Sequence, residues 1–167
     1  MTPAELLTDA FGRISEGVPA VVDRLSEEQL AERLDGTGNS IAWLVWHLTR
    51  VQDDHVADAF GTEQVWLADG WHERFGLPLE PRETGYGHGS EQVAAVRASA
   101  ALLAGYHAAV AARTVELLAT LTPEQLDEVV DDDWDPPVTR GVRLVSVVDD
   151  DAKHLGQAEY VRGLLPG

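Results

Sequence analysis

Residues 147–157 have the sequence VVDDDAKHLGQ, in which three consecutive carboxylates and one histidine interrupt an apolar helical pattern. Asp150 and His154 are four residues apart, so in a helix their Cβ atoms project from the same side, about 6 Å apart. A buried ionised carboxylate is costly unless it is paired or bound to a cation. The spacing therefore predicts that Asp150 and His154 bind one ion together.

Helical geometry also limits which of the three carboxylates can face His154. Around the helix axis, Asp150 lies about 40° from His154 and Asp151 about 60° away on the other side, whereas Asp149 is about 140° away. Asp149 is therefore disfavoured. Asp150 is the first candidate for the carboxylate ligand, and Asp151 remains an alternative.

A third candidate ligand, His47, comes from a separate apolar segment, residues 41–48, with the sequence IAWLVWHL. If this segment is a helix that faces residues 147–157, His47 can reach the same ion. Two histidines and one carboxylate leave coordination positions open for water or substrate, which is the arrangement of a catalytic metal site. Zinc or nickel is expected, because imidazole ligands suit both ions.

Four long segments have the apolar periodicity of helices, which predicts an all-α fold, a four-helix bundle. They run from Thr2 to Leu25, from Asn39 or Ser40 to Gly61, from Ser90 to about Leu121, and from Val142–Leu144 to the C-terminus. Short helices are predicted at residues 26–30 and 122–126, and no strand pair is predicted. The connector at residues 62–89 is too long for an ordinary bundle turn, so the second and third long helices can run parallel.

The composition limits the classes of function. The chain has 167 residues, 44% of them hydrophobic, which predicts a single domain over residues 1–167. Its formal net charge of -17 repels phosphate backbones and anionic lipids, so we expect neither a nucleic-acid nor a membrane partner. There is no cysteine, which excludes a disulfide framework and a cysteine nucleophile. No leader or long apolar span is recognisable, so we expect a cytoplasmic protein.

Residues 40–55 and 150–165 resemble the two metal-bearing helices of the DinB-like four-helix-bundle superfamily. The connector, at residues 71–78 and 85–88, is also similar. The sequence looks most like the actinobacterial branch of the superfamily, which includes mycothiol-dependent maleylpyruvate isomerase.

The resemblance implies a bundle in up-down-down-up order, a homodimer, and one divalent ion held by His47, Asp150 and His154. Members of the superfamily usually have histidine or glutamate at the position of Asp150. The carboxylate arm in this chain is therefore one methylene shorter than that of a glutamate.

Two further residues are expected near the ion. Arg50, one turn after His47, is expected to orient an anionic group as a catalytic residue, or else to form a surface ion pair with Asp53 or Asp54. Gln157 is expected to donate a hydrogen bond to a ligand or to a group that supports one.

The ligands and the resemblance together predict a divalent-metal-dependent enzyme that uses a low-molecular-weight thiol of the mycothiol type. Its reaction would be that of a transferase or isomerase acting on a small electrophile, so its partners would be two small molecules. Two alternatives remain open. One is a non-catalytic bundle that binds a metal or ligand or serves as a dimerisation module, and the other is a metal-dependent hydrolase.

Overall fold

The computed structural model of the chain describes residues 1–165 and is mainly helical, so the predicted all-α class is confirmed. The four long helices are α1 (Pro3–Val22), α3 (Ile41–Phe60), α7 (Ala100–Leu118) and α8 (Arg140–Leu164). The short helices are α2 (Glu27–Ala31), α4 (Val65–Ala68), α5 (Trp71–Phe75) and α6 (Ser90–Ala95). Single 3-10 turns lie at Leu34–Gly36 and Glu124–Asp127.

Capping residues explain where the long helices begin and end. Thr2 and Glu5 form a capping box at the start of α1, and the hydroxyl of Ser40 accepts a hydrogen bond from the backbone N–H of Trp43 in α3. Gly61 ends α3 in the left-handed conformation, with φ of 65°. The bounds of α3 therefore follow from local sequence, as predicted.

Helices α3 and α8 pack against each other in opposite directions. Near the end of α3, the carbonyl oxygen of Ala59 accepts a hydrogen bond from Arg140, the first residue of α8. Arg140 therefore marks one end of the interface between α3 and α8, which we call the seam. Further along the seam, the centroids of the His47 and His154 rings lie 4.7 Å apart. The antiparallel arrangement brings the middle of α3 against the middle of α8.

The other long helices complete the bundle with parallel neighbours. Thr49 of α3 contacts His107 of α7. Further along both helices, the side-chain amide of Gln52 in α3 donates a hydrogen bond to the hydroxyl of Thr114 in α7. Helices α3 and α7 therefore run in the same direction, as the long connector permits.

Helix α1 runs parallel to α8. A Cβ on Gly17 would lie 2.5 Å from a methyl group of Leu155, so the two helices approach closely there. Further along both, Arg162 donates to the carbonyl oxygen of Val21. The directions of α1, α3, α7 and α8 are accordingly up, down, down and up.

The connector between α3 and α7 is anchored by a buried carboxylate of α3. The two side-chain oxygens of Asp53 accept hydrogen bonds of 2.8 Å from the backbone N–H groups of Val65 and Trp66, at the start of α4. The indole of Trp66 in turn donates to the carbonyl oxygen of Pro81. These bonds satisfy first-turn N–H groups that a helix cannot pair internally, and they hold the connector against the bundle.

Three predictions about secondary structure are wrong in detail. The predicted third helix is broken between Ala95 and Ala100, because the hydroxyl of Ser99 caps a new helix by accepting from the N–H of Leu102. A strand pair exists, in which β1 (Val129–Asp131) and β2 (Val138–Thr139) are antiparallel. Helix α8 begins at Arg140, earlier than predicted, because Thr139 at the end of β2 caps it.

Within residues 1–165, no helix combines the length with the apolar character that crossing a membrane requires.

Candidate metal centre

His47 of α3 and Asp150 and His154 of α8 each offer a ligand atom, and these three atoms lie within 4.8 Å of one another. One oxygen of Asp150 is 3.7 Å from Nε2 of His154, four residues further along the helix. The structure thus brings together the three residues that the sequence singled out. It does so because α3 and α8 are antiparallel and both residues of α8 project from the same side.

The imidazole of His47 is held by the connector. Its Nδ1 atom lies 2.6 Å from the carbonyl oxygen of Thr84, which can only accept, so Nδ1 carries the proton and donates. Burial lowers the pKa of His47, which favours the neutral ring. In that tautomer the lone pair belongs to Nε2, the atom available to a metal.

The imidazole of His154 is held in the same way by its own helix. Its Nδ1 atom is 2.9 Å from the side-chain oxygen of Gln157, which accepts the hydrogen bond and leaves Nε2 to face Asp150. Histidines that bind metals commonly donate their second ring N–H to a carbonyl or carboxylate, which fixes the tautomer and the ring orientation. Thr84 and Gln157 supply such partners here. The predicted hydrogen bond of Gln157 to a ligand residue is therefore present but in the reverse direction, with Gln157 as the acceptor.

The polar atoms of the cluster fit a divalent cation. Among the described residues, the second oxygen of Asp150 is buried and has no hydrogen-bond partner. A buried carboxylate oxygen without a partner is costly, and the two neighbouring Nε2 atoms bring lone pairs instead of protons. Two imidazole nitrogens and one carboxylate oxygen are donors that zinc and nickel accept.

Gly85 allows the connector to lie against His47. Its φ is +100°, and a Cβ at this position would be 2.5 Å from Nδ1 of His47 and 3.1 Å from the ring of Trp46. Both the backbone conformation and the close approach therefore require glycine.

His88, a histidine of the connector, forms hydrogen bonds next to His47. The indole of Trp43, which stacks on the ring of His47 at 4.5 Å, donates to Nδ1 of His88 at 3.2 Å. The Nε2 atom of His88 then donates to the carboxylate of Glu83 at 2.7 Å. His88 thus stabilises the connector, and both of its ring nitrogens are engaged away from the cluster.

A cavity of about 620 Å³ lies beside the cluster and follows the seam between α3 and α8. We call it the polar cavity. Its lining is rich in ionisable side chains, which include His47, Asp54, His55, Asp131, Arg143, Asp149 and Asp150.

At the end away from the cluster, the guanidinium of Arg143 donates to Asp131 of β1 at 2.6 Å and to Nδ1 of His55 at 3.2 Å. Burial, followed by the charge of Arg143, lowers the pKa of His55. Sequence reasoning missed this wall, because Arg143 and His55 are 88 residues apart in the chain and Asp131 lies on the strand pair that was not predicted.

The sequence as a whole is also similar to a known protein family. The sequence profile of the mycothiol-S-transferase family matches residues 6–167. The chain belongs to this family. The mycothiol-S-transferase family is DinB-like, so the resemblance to the DinB-like superfamily is confirmed.

A solved structure is also similar to this member of the mycothiol-S-transferase family. It is the crystal structure of a conserved protein from Enterococcus faecalis, with a TM-score of 0.90 and 34% sequence identity. The similarity covers 97% of this chain and 96% of the other. No curated protein matches this chain significantly.

Arg50 belongs neither to the cluster nor to the lining residues of the polar cavity. The predicted ion pair with Asp53 is present, with the guanidinium 3.6 Å from the carboxylate, but its predicted place at the surface is wrong, because both residues are buried. Arg50 also donates to the carbonyl oxygen of Glu83 and to the hydroxyl of Tyr106, and it lies over the ring of Trp66. These contacts join α3, the connector and α7.

The three consecutive aspartates of this mycothiol-S-transferase-family chain have different surroundings. Asp150 belongs to the cluster, and Asp149 is exposed and paired with Lys153. Asp151 is completely buried, and neither of its oxygens has a hydrogen-bond partner among residues 1–165. Burial raises the pKa of Asp151 well above its usual range, so the neutral acid is favoured there.

Proposed function

We propose that this protein transfers a low-molecular-weight thiol of the mycothiol type to a small electrophile, with a divalent cation held by His47, Asp150 and His154. The observation that carries the proposal is the convergence of the three ligand atoms within 4.8 Å beside a cavity. Membership of the mycothiol-S-transferase family supports the identity of the thiol. Zinc or nickel is the proposed ion, because the ligands are two imidazoles and one carboxylate.

A divalent cation in this position supplies a Lewis acid that lowers the pKa of a thiol bound to it. Residues of the chain orient the ligands of this cation. Thr84 and Gln157 hold the Nδ1 protons of His47 and His154, so both Nε2 lone pairs stay directed at the centre. Three protein ligands leave coordination positions for the cosubstrate.

The nucleophilic sulfur must come from the cosubstrate, because the chain has no cysteine. In the transfer, a sulfur–carbon bond forms and the bond between that carbon and its leaving group breaks. The leaving group takes the electron pair of the broken bond, and the thiol proton passes to solvent through the polar cavity. The wall of this cavity, with Arg143, His55 and Asp131, offers hydrogen bonds to the hydrophilic body of the thiol.

A homodimer and a cytoplasmic location, which the resemblance and the composition suggested, remain part of this proposal. So does catalysis itself, since a fold and a family do not establish an activity.

The test combines metal analysis with an assay of thiol transfer. The protein is purified, its metal content is measured, and the transfer of mycothiol to 1-chloro-2,4-dinitrobenzene is followed by absorbance. We expect about one equivalent of metal and a metal-dependent rate, both lost in His154→Ala. His72→Ala is the control and keeps both, because His72 lies on α5 outside the cluster.

Other outcomes point to the alternative functions. A wild-type protein that binds no metal and consumes no thiol would support the non-catalytic bundle. Turnover of an ester without thiol would support the hydrolase, and a rearranged electrophile that retains all its atoms would support an isomerase.

A further inference from the structure

We infer that the seam between α3 and α8 holds two substrate sites, one on each side of the candidate metal centre, and that the second takes an apolar electrophile. The second site is a cavity of about 480 Å³, which we call the apolar cavity, and its lining includes Leu34, Leu44, Gly156, Gln157, Tyr160 and Val161. The inference rests on the proposed function, because a transferase must bind an electrophile as well as a thiol.

The two cavities follow one another along the same seam. On α3 the polar cavity is lined between His47 and His55, and the apolar cavity reaches Leu44, one turn before His47. On α8 the polar cavity is lined by residues 143–150 and the apolar cavity by residues 153–161. Because the helices are antiparallel, both sets of positions place the cluster between the two cavities.

Both cavities also touch residues that build the centre. His47 and Asp150 line the polar cavity directly. Gln157 lines the apolar cavity and accepts the hydrogen bond from His154. The polar cavity thus opens on two of the three candidate ligands, and the apolar cavity reaches the centre through Gln157, the residue that holds His154.

The linings differ in chemistry, and this difference assigns the substrates. The polar cavity carries four carboxylates, a guanidinium and two imidazoles beside apolar side chains such as Val51, Trp134 and Val147, so it offers many hydrogen bonds to a hydrophilic thiol. Leucine, valine and tyrosine side chains dominate the apolar cavity, and Lys153, the one charged residue among its described lining residues, is paired with Asp149. Burial of apolar surface is the main attraction such a lining offers, so it favours an aromatic or aliphatic electrophile.

Gly156 is a lining residue of the apolar cavity that carries no side chain. Glycine inside a helix costs about 1 kcal/mol relative to alanine. Its backbone is helical, and a Cβ would meet nothing within 4 Å in the described part of the chain, so neither conformation nor packing calls for glycine there. A large side chain introduced at this position would therefore occupy space in the cavity.

The experiment fills each cavity in turn. In Gly156→Trp we expect the KM for 1-chloro-2,4-dinitrobenzene to rise at least tenfold, while the metal content, the KM for mycothiol and the rate with the much smaller iodoacetamide stay within twofold of wild type. Ser146 lines the polar cavity, so Ser146→Trp should instead raise the KM for mycothiol. Tyr160→Ala, at an exposed position, should raise the KM for the aromatic electrophile without affecting folding.

Gly163→Trp is the matched control, because Gly163 lies on the same helix, lines neither cavity, and has open space at its Cβ within residues 1–165. It should leave all kinetic constants unchanged. An unchanged KM for the aromatic electrophile in both Gly156→Trp and Tyr160→Ala would overturn the inference, and so would a rise in the KM for mycothiol in Gly156→Trp. Failure of the proposed function is different, since the wild type would then show no thiol transfer at all.

Discussion

Nδ1 of His47 donates a hydrogen bond to the carbonyl oxygen of Thr84, so the connector between α3 and α7 orients a ligand that α3 carries. The two residues are 37 positions apart, and the bond forms only because the backbone after Thr84 can lie directly against the imidazole ring. The candidate centre therefore depends on a loop as well as on two helices. Metal affinity should respond to changes in that loop.

Gly85→Ala should weaken metal binding by about 10- to 100-fold, the usual effect of removing a partner that orients a histidine ligand. The new methyl group would collide with Nδ1 of His47, and the positive φ at Gly85 would also be strained. Zinc titration against a competing chelator measures the change. Gly87→Ala is the control: its φ is +74°, but a Cβ there meets nothing within 4 Å among the described residues. Equal affinities for the two variants would show that the Thr84 contact is unimportant.

Arg50→Met should destabilise the protein by about 3–5 kcal/mol, because it leaves the buried carboxylate of Asp53 without its cationic partner. The protein should still bind metal at saturating zinc, since Arg50 is outside the cluster. Urea unfolding measures the loss. Arg13→Met removes an exposed pair with Asp9 and should cost less than about 1 kcal/mol. A stable Arg50→Met protein that binds metal but no longer transfers thiol would instead support the anion-orienting role that the sequence suggested.

The helices that carry the cluster could be predicted because their information is local. The apolar stripe of α3 and the i, i+4 spacing of Asp150 and His154 are visible in any single stretch of sequence. The approach of α3 to α8 is not local information. Its prediction rests on the ligand chemistry of His47, Asp150 and His154 and on the resemblance to the DinB-like superfamily.

The rest of the site depends on contacts between residues that are far apart in the sequence. The apolar periodicity of a single helix does not predict such contacts. The burial of Arg50 follows from the position of Tyr106 on α7, and the wall formed by Arg143 and Asp131 follows from a strand pair of few residues. The break before Ala100 was missed because Ser99 occupies a position that an uninterrupted helix could also place at its surface.

Asp151→Leu should stabilise the metal-free protein by about 3 kcal/mol at pH 7, because leucine has the same branched shape as aspartate and removes two buried oxygens that lack partners among residues 1–165. The folded-state pKa of Asp151 is raised, so its contribution to stability is present below the unfolded pKa and is lost as pH rises. The gain should therefore grow as pH increases from about 4. Unfolding by urea with a chelator present, at several pH values, measures it.

Asp149→Leu is the control for this change, because Asp149 is exposed and its replacement should alter stability by less than about 1 kcal/mol. The metal content of the Asp151→Leu protein tests a second point, namely which aspartate is the carboxylate ligand. If Asp151 were the carboxylate ligand, Asp151→Leu would lose the metal, whereas the geometry of the cluster predicts that it is retained.

His107 should make the protein sensitive to acid. The hydroxyl of Thr49 donates to the carbonyl oxygen of Val45, so it accepts from Nδ1 of His107. The Nε2 atom is then an unprotonated acceptor that is buried and has no partner in the described chain. Burial accordingly lowers the pKa of His107 from 6.5 to about 4.

Because the folded pKa is lower than the unfolded one, the stabilisation by neutral His107 is complete above pH 6.5 and is lost as pH falls towards 4. At about 1.4 kcal/mol per pH unit, the loss over this window is on the order of 3 kcal/mol. His107→Asn retains a donor for Thr49 but cannot be protonated, so its free energy of unfolding should fall less than that of wild type between these pH values. Urea unfolding of both proteins with a chelator present isolates His107, because the titration of every other group is common to the two. Identical pH profiles would contradict a buried, neutral His107.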